Sequence, residues 1–263
     1  MEERKYETIV VSREGKIVRV WLNRPEIHNA FNAVMIRELL DAFRSIAQDD
    51  AVRVVVFSGR GKSFCAGADL NWMREVVHFS FEQNLEESLA IAELHDLIYS
   101  LPRPTIARVN GTAIGGGTGF LSACDIVVAA EEAKFGLSEV KMGLVPAAIS
   151  PYVLRRIGES KARQYFLTGE RFDARRALEI GLVNIVAPAE KLDEKIEELT
   201  HSLLSSGPEA LARCKELLRR VPGMAVEEAK AYTARMIAEL RVSREGQEGM
   251  TAFLEKRKPK WTE

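Results

Sequence analysis

Residues Ala113–Phe120 read AIGGGTGF. Three consecutive glycines and a fourth two positions on cost backbone entropy when ordered. Such a cluster is kept where a side chain would block an approach to the backbone. A strand-like run, Thr105–Val109, precedes it, and a helical pattern continues through Cys124 to another strand, Ile126–Ala129. Strand, glycine turn, helix, strand predicts an α/β fold with successive units on a mostly parallel sheet. The run Arg53–Phe57 (RVVVF) fits the same sheet, because continuous β-branched residues suit a strand covered on both faces.

Further out, residues 7–22 are two β-rich runs joined at Arg13-Glu14-Gly15-Lys16, a hairpin signal. Asn32 is placed to cap a helix whose apolar positions are Met35, Leu39, Ala42, Phe43 and Ile46. A long helix is expected from about Phe81 to Ser100, closed by Pro102. From about Pro188 the pattern is almost wholly helical, with Pro208 and Pro222 starting or separating helices. The organisation expected is a β/α core over residues 1–200 and a helical segment over 201–263 that packs on a neighbouring subunit.

The 263 residues carry 37 basic and 38 acidic side chains, a net charge of −1, which argues against nucleic acid as a partner. Cys65, Cys124 and Cys214 are odd in number and widely spaced, so a reducing, cytoplasmic setting is expected and no disulfide framework. MEERKYETIV has no apolar signal core, and no run approaches the roughly 18 apolar residues of a membrane span. Gly61-Lys62-Ser63 is not a P-loop, since Val56 stands where its first glycine belongs. The glycine cluster does not fit G-x-G-x-x-G, and no G-x-S-x-G elbow exists. His28, His78, His95 and His201 lack metal-site spacing, so no metal is expected and each is read as a surface residue.

Two loops remain, each after a buried strand: Ser63–Leu70 (SFCAGADL) and Asn110–Phe120 (NGTAIGGGTGF). Both combine tiny residues with a following helix, so both can present bare amides at a helix start. Either alone is satisfied by close helix–sheet packing. Together they suggest an oxyanion hole, two amides converging on one oxygen.

The chain resembles the crotonase superfamily, also called the enoyl-CoA hydratase/isomerase family. The resemblance rests on LNRPEIHNAFN (22–32), FCAGADL (64–70), ARVNGTAIGGG (107–117), FGLSEVKMGLVP (135–146), LTGERFDARRALEIGLVNIV (167–186) and EGMTAFLEKRKPKW (248–261). It implies a crotonase-like core of repeated ββα units with a C-terminal helical trimerisation segment, a homotrimer or dimer of trimers, and acyl-CoA substrates without a further cofactor. By position, the hole's donors would be the amides of Ala68 and Gly116. Cys65, Ala66, Gly67, Asp69 and Leu70 would line the CoA path, Gly115 and Gly119 would border the thioester, and Arg24 would stand near the phosphates. Phe253 and Lys256 would close over the nucleotide end; for Lys256 the alternative is a solvated basic tail with Arg257, Lys258 and Lys260.

The resemblance also marks an absence. Two-glutamate hydratases of the family carry glutamates at the positions of Gly119 and Glu139, and here only Glu139 remains. A carboxylate among apolar neighbours gains a raised pKa, useful for shuttling protons near neutrality. Val145–Val153 (VPAAISPYV) departs from the glycine-rich segment of many members. With GFL at 119–121 it looks like the branch of methylglutaconyl-CoA and carboxygeranoyl-CoA hydratases, which act in leucine and acyclic terpene catabolism. Gly119 is then read as opening volume for a branched acyl group. The activity expected is hydration of an α,β-unsaturated acyl-CoA. The alternatives are Δ3/Δ2-enoyl-CoA isomerisation and a non-catalytic acyl-CoA- or RNA-binding role.

Overall fold

The computed structural model describes residues 2–262, with residues 2–5 described through their backbone alone. Strands β1 (Glu2–Lys5), β2 (Ile9–Glu14) and β3 (Ile17–Leu22) form an antiparallel meander. Its β2–β3 turn is carried by Gly15 at φ +58°, where a side chain would be strained. Three strand pairs follow: β4 (Val54–Gly59) with β5 (Ser63–Cys65), β6 (Thr105–Val109) with β7 (Thr112–Ile114), and β8 (Ile126–Ala130) with β9 (Lys134–Gly136). In each pair the first strand joins one sheet and the second joins another. With β10 (Arg171–Asp173) and β11 (Ile185–Ala187), the sheets run β1-β2-β3-β4-β6-β8-β11 and β10-β9-β7-β5. From β3 to β11 the larger sheet is parallel, as are β5, β7 and β9 in the smaller. Each ββ unit therefore steps one strand sideways in both sheets.

Helix α1 (Ala33–Gln48) links the meander to the first unit, and the Asn32 side chain accepts from the Met35 amide at 3.0 Å, as its sequence predicts. Helices α2 (Leu70–Val76) and α3 (Phe81–Ser100) follow β5, and α4 (Gly116–Ala123) follows β7. A 3-10 turn, Glu139–Met142, and α5 (Ser150–Thr168) follow β9. Strand β4 shows why RVVVF is continuous. Val55 and Phe57 enter the main core with Met35, Leu39, Phe43, Phe64 and Phe120, while Val54 and Val56 face a second core. Helix α6 (Ala174–Glu179) precedes β11, and α7 (Leu192–Leu204) closes that second core with Leu192 and Ile196. Each such buried side chain contributes about 1.5–3 kcal/mol.

Residue 200 thus lies inside a helix that belongs to the sheet. Beyond it run α8 (Pro208–Arg220), α9 (Val226–Val242) and α10 (Arg244–Leu254). Lys215 ties α8 to Asp125 at 2.6 Å, and the Arg53 guanidinium donates to the Ser206 carbonyl at 2.6 Å. Among the described residues no helix is long and apolar enough to cross a membrane.

One histidine differs from the sequence expectation. His28, His78 and His201 are exposed, but His95 is fully buried. It sits on the inner face of α3, its ring stacked between Phe120 (5.1 Å between centroids) and Tyr152 (5.8 Å). Its Nδ1 donates to the Ile91 carbonyl at 2.7 Å, which removes one polar atom's cost of burial.

Candidate active site

The smaller sheet assembles the site. In the parallel β5–β7 pair Cys65 stands opposite Ala113, and in β7–β9 Ile114 stands opposite Gly136. Ala68 lies three residues past Cys65, and Gly116 three past Ala113. Equal offsets from paired positions place both residues just beyond the carboxyl ends of neighbouring strands. Glu139, three residues past Gly136, emerges from the third strand in the same direction. Ligand sites at the carboxyl ends of parallel strands are the general rule for such sheets.

Both amides are available. The bridge between Phe31 and Ala68 uses the amides of Phe31 (to Gly67 O, 2.9 Å) and Asp69 (to Phe31 O, 2.8 Å), leaving that of Ala68 unpaired. Gly116 is the first residue of α4, so its amide has no partner inside the helix. A Cβ on Gly116 would lie 2.6 Å from Phe31 Cε1, so the aromatic ring occupies what a side chain would need. Phe31 also meets Trp72 (5.7 Å) and Phe120 (5.6 Å), which makes a dry apolar wall beside the hole. Gly117 is closer still: its Cβ would stand 2.4 Å from the Cys65 carbonyl oxygen, so this glycine serves close strand–helix packing.

The loop of Ala68 is held by the segment from Arg24 to Phe31. Asn29, fully buried at φ +56°, donates through Nδ2 to the carbonyls of Arg60 and Ser63, both at 2.8 Å. Its Oδ1 accepts from the Arg24 amide at 2.9 Å, and the Ala66 amide reaches the His28 carbonyl at 3.0 Å. Asn29 and Phe31 are therefore supports of the hole. Both lie inside the LNRPEIHNAFN block, which is the signal that could have found them.

Glu139 opens the 3-10 turn, half-buried, with Oε1 3.0 Å from where a Cβ on Gly115 would be. Its Oε2 is buried with no hydrogen-bond partner. Burial pushes its carboxyl above the usual range, opposed by its own backbone amide. Its basic oxygen thus keeps a proton affinity suited to transfer.

Gly119 lies one turn into α4, its amide bonded to the Gly115 carbonyl at 3.0 Å. The expectation that it opens volume is corrected here. A Cβ at Gly119 would stand 2.1 Å from Ile149 Cγ2 and 2.6 Å from His95 Nε2, so the space is filled. Ile149 belongs to the VPAAISPYV segment, which explains why that segment and Gly119 depart together.

Of the remaining expected residues, Arg24 pairs with Asp69 at 2.8 Å and donates to the Ala30 carbonyl at 2.8 Å. Burial raises the Asp69 carboxyl, but the Asn71 amide, Arg24 and the Trp72 amide together hold it below its ordinary value. Cys65 is buried, with its thiol pushed up to about 12 by desolvation, so it packs and does not react. Ala66 is half-buried, Gly67 is buried at φ +101°, and Leu70 is exposed at the start of α2. Phe253 and Lys256 lie exposed at the end of α10, whose packing partners are α8 and α9. The chain by itself does not pack them on the Ala68–Gly116–Glu139 cluster.

Two amides without backbone partners, an apolar wall and one half-buried carboxylate are groups that can hold an anionic oxygen and move a proton. Comparison with known proteins agrees: residues 12–263 match the family model described as enoyl-CoA hydratase/isomerase, and the chain belongs to that family. It is 40% identical to a putative enoyl-CoA hydratase of Thermus thermophilus, across 96% of this chain and 100% of that one. It is 33% identical to the 2,3-dehydroadipyl-CoA hydratase of Escherichia coli, across 95% and 97%. The crystal structure of an enoyl-CoA hydratase from Shewanella pealeana superposes with a TM-score of 0.94 at 41% identity, covering 97% of this chain and 96% of that one.

Proposed function

We propose that this chain adds water across the double bond of an α,β-unsaturated acyl-CoA, with Glu139 as the single proton carrier. The thioester oxygen accepts hydrogen bonds from the amides of Ala68 and Gly116. The Glu139 carboxylate takes a proton from water as the water oxygen bonds to the β-carbon. The π electrons of the double bond move to the thioester, forming an enolate whose oxygen the two amides hold. Glu139 then returns the proton to the α-carbon, so one water is added in all. Preorganised donors act on the charge that develops, and losing one raises the barrier by about 3–4 kcal/mol.

The observation that supports this reading most is the register of β5, β7 and β9: Ala68 and Gly116 each follow the paired Cys65 and Ala113 by three residues, and Glu139 follows Phe135, paired with Ala113, by four. One carboxylate also suffices for Δ3/Δ2 isomerisation, in which a proton leaves one carbon and returns to another; this is the second reading. The acyl group proposed is branched or carboxylated. Support comes from the resemblance of GFL with AAISPYV, and from the relative whose name gives a dicarboxylic acyl group. Since Gly119 offers no room, the bulk belongs elsewhere. A cavity of about 330 Å³ lined by Ala33, Ile36, Arg37, Trp72 and Ile91 lies one aromatic layer from Gly116. The test is a panel of short, long, branched and carboxylated enoyl-CoAs, followed by loss of enoyl absorbance and gain of one water in mass. Products with unchanged mass and a shifted double bond would favour the isomerase.

The trimer, or a multiple of it, is proposed on the apolar side chains that α8–α10 leave exposed, among them Leu218, Ile237, Phe253 and Leu254. Light scattering should give three times the monomer mass or a multiple of that, and a monodisperse monomer would refute it.

A further inference from the structure

The consecutive glycines Gly115, Gly116 and Gly117 have no side chains to hold them, yet a donor that acts on developing charge must be fixed in place beforehand. Gly115 turns the chain at φ +54° and ψ −123°, a conformation that leaves the turn to its neighbours to stabilise. The next residue, Thr118, is fully buried in the first turn of α4. Its hydroxyl donates to the Ala113 carbonyl at 2.8 Å and to the Gly136 carbonyl at 3.1 Å, one proton shared between two acceptors. A helical Ser or Thr hydroxyl ordinarily finds the carbonyl four residues back, as Ser122 does with Thr118 at 2.7 Å. Thr118 instead reaches off the helix to the strands.

The two carbonyls belong to neighbouring strands. Ala113 lies in β7, shortly before Gly116, and Gly136 is the last residue of β9, shortly before Glu139. The ladder between these strands stops where Ile114 stands opposite Gly136, and there the chain leaves β7 for α4. The Gly136 carbonyl also accepts from the Gly115 amide at 2.9 Å. Glu139 Oε1 stands 3.0 Å from the Cβ position of Gly115, so the carboxylate lies against this same turn. On the other side, Gly117 brings α4 down onto the Cys65 carbonyl of β5. Successive residues of one helical turn thus rest on the three strands that lead to Ala68, Gly116 and Glu139.

We propose that Thr118 is a positioning residue: its hydroxyl fixes the glycine turn against the end of β9 and so sets where the Gly116 amide stands relative to Glu139. Thr118 is sealed, so it acts through the turn and not on a substrate. Without the hydroxyl, the Ala113 carbonyl loses this donor, and the turn is left tied to β9 through the Gly115 amide. A reacting constellation works when its parts are held within about 0.5 Å of the productive geometry, which a run of glycines does not secure by itself. This inference rests on the reading of Ala68, Gly116 and Glu139 as the reacting groups, and it holds for hydration and isomerisation alike.

The test separates the hydroxyl from the space that the side chain fills. Thr118→Ser keeps the hydroxyl and loses the methyl, Thr118→Val keeps the shape and loses the hydroxyl, and Thr118→Ala loses both. Each is assayed beside wild type for turnover of the best enoyl-CoA in the panel. Each is also assayed for exchange of the α-protons of butyryl-CoA in deuterated water, which needs the two amides and Glu139 but no double bond. Thr118→Val and Thr118→Ala should lower kcat at least ~10-fold with KM little changed, short of the roughly 10²-fold that a misplacement of about 1 Å can cost. Exchange should fall in step, since both reactions need the same spacing. Thr118→Ser should keep most of both activities. A packing role gives the opposite order, with Thr118→Ser impaired and Thr118→Val spared, and that result overturns the inference. Wild-type turnover in Thr118→Ala overturns it too, as does a rise in KM with kcat intact. If Thr118→Val does not fold, Thr118→Ala against Thr118→Ser makes the same comparison across a single oxygen atom. Wild type that neither turns over the panel nor exchanges the α-protons overturns the reading of the site, and this inference with it.

Discussion

Replacing Gly119 tests whether the second carboxylate's place is filled or vacant. In Gly119→Ala the new methyl would begin 2.1 Å from Ile149 Cγ2 and 2.6 Å from His95 Nε2, against about 3.5–4.0 Å for relaxed carbon contacts. Ile149 is β-branched and buried, and His95 is held by stacking on both faces, so neither yields freely. Overpacking of this kind costs about 1–3 kcal/mol, partly offset by the roughly 1 kcal/mol that alanine gains over glycine in a helix. An overlap this close calls for the upper end of that range, so a net loss of about 2 kcal/mol is expected. Ile149→Ala alone should cost about 2–5 kcal/mol through its cavity. In the double variant the methyl enters that cavity, so the two losses should fall short of their sum by at least about 1 kcal/mol. Urea unfolding of the four proteins measures this. Additive losses, or a Gly119→Ala protein as stable as wild type, would refute the filled-space argument. Gly119→Glu should be worse on both counts, adding length and a second carboxylate near Glu139 that cannot ionise cheaply. A Gly119→Glu enzyme faster than wild type would show that the missing carboxylate is a loss.

Glu139→Gln should lower turnover at least ~10²-fold while raising thermal stability near neutral pH. The sign follows from its raised pKa: the folded state binds the proton more tightly than the unfolded, so stability falls as pH rises through the folded value. The variant escapes that loss, and its advantage in a melting series should vanish below the ordinary carboxylate range; an equal melting temperature at neutral pH would contradict it. Gly116→Val places its branch against the Phe31 ring and in the path of the thioester, so turnover should fall far more than CoA-ester binding by calorimetry. Unchanged turnover would make Gly116 only a packing glycine. Asn29→Ala leaves the Arg60 and Ser63 carbonyls without their buried donor and should cost about 2–4 kcal/mol in urea, with turnover reduced through the displaced Ala68. Full activity in this variant would show that the loop holds itself.

The sheet and most helices were legible because their signals are local. The hairpin at Gly15, the Asn32 cap, the run at β4 and the long α3 are each set by a few neighbouring residues. The neighbourhood of the two small-residue loops was legible as well, since both follow buried strands and β5 and β7 pair side by side. What stayed hidden were relations between distant segments. His95 reads as a solvated histidine until α3 is turned against α4, which buries it between Phe120 and Tyr152. Gly119 reads as vacant space until Ile149, thirty residues on, is folded over it. Asn29 is an unremarked polar residue until three segments bring their backbone groups to it. Composition and periodicity carry no record of such contacts.

The central claim is that Ala68, Gly116 and Glu139 direct water to the β-carbon of an enoyl thioester. It is tested most directly by turning over the best enoyl-CoA in water enriched in heavy oxygen and reading the product by mass. The account predicts a 3-hydroxyacyl-CoA carrying one heavy oxygen on the β-carbon, formed by wild type and lost in Glu139→Gln. An unlabelled product with its double bond moved, or label incorporated as fast by Glu139→Gln, would contradict it.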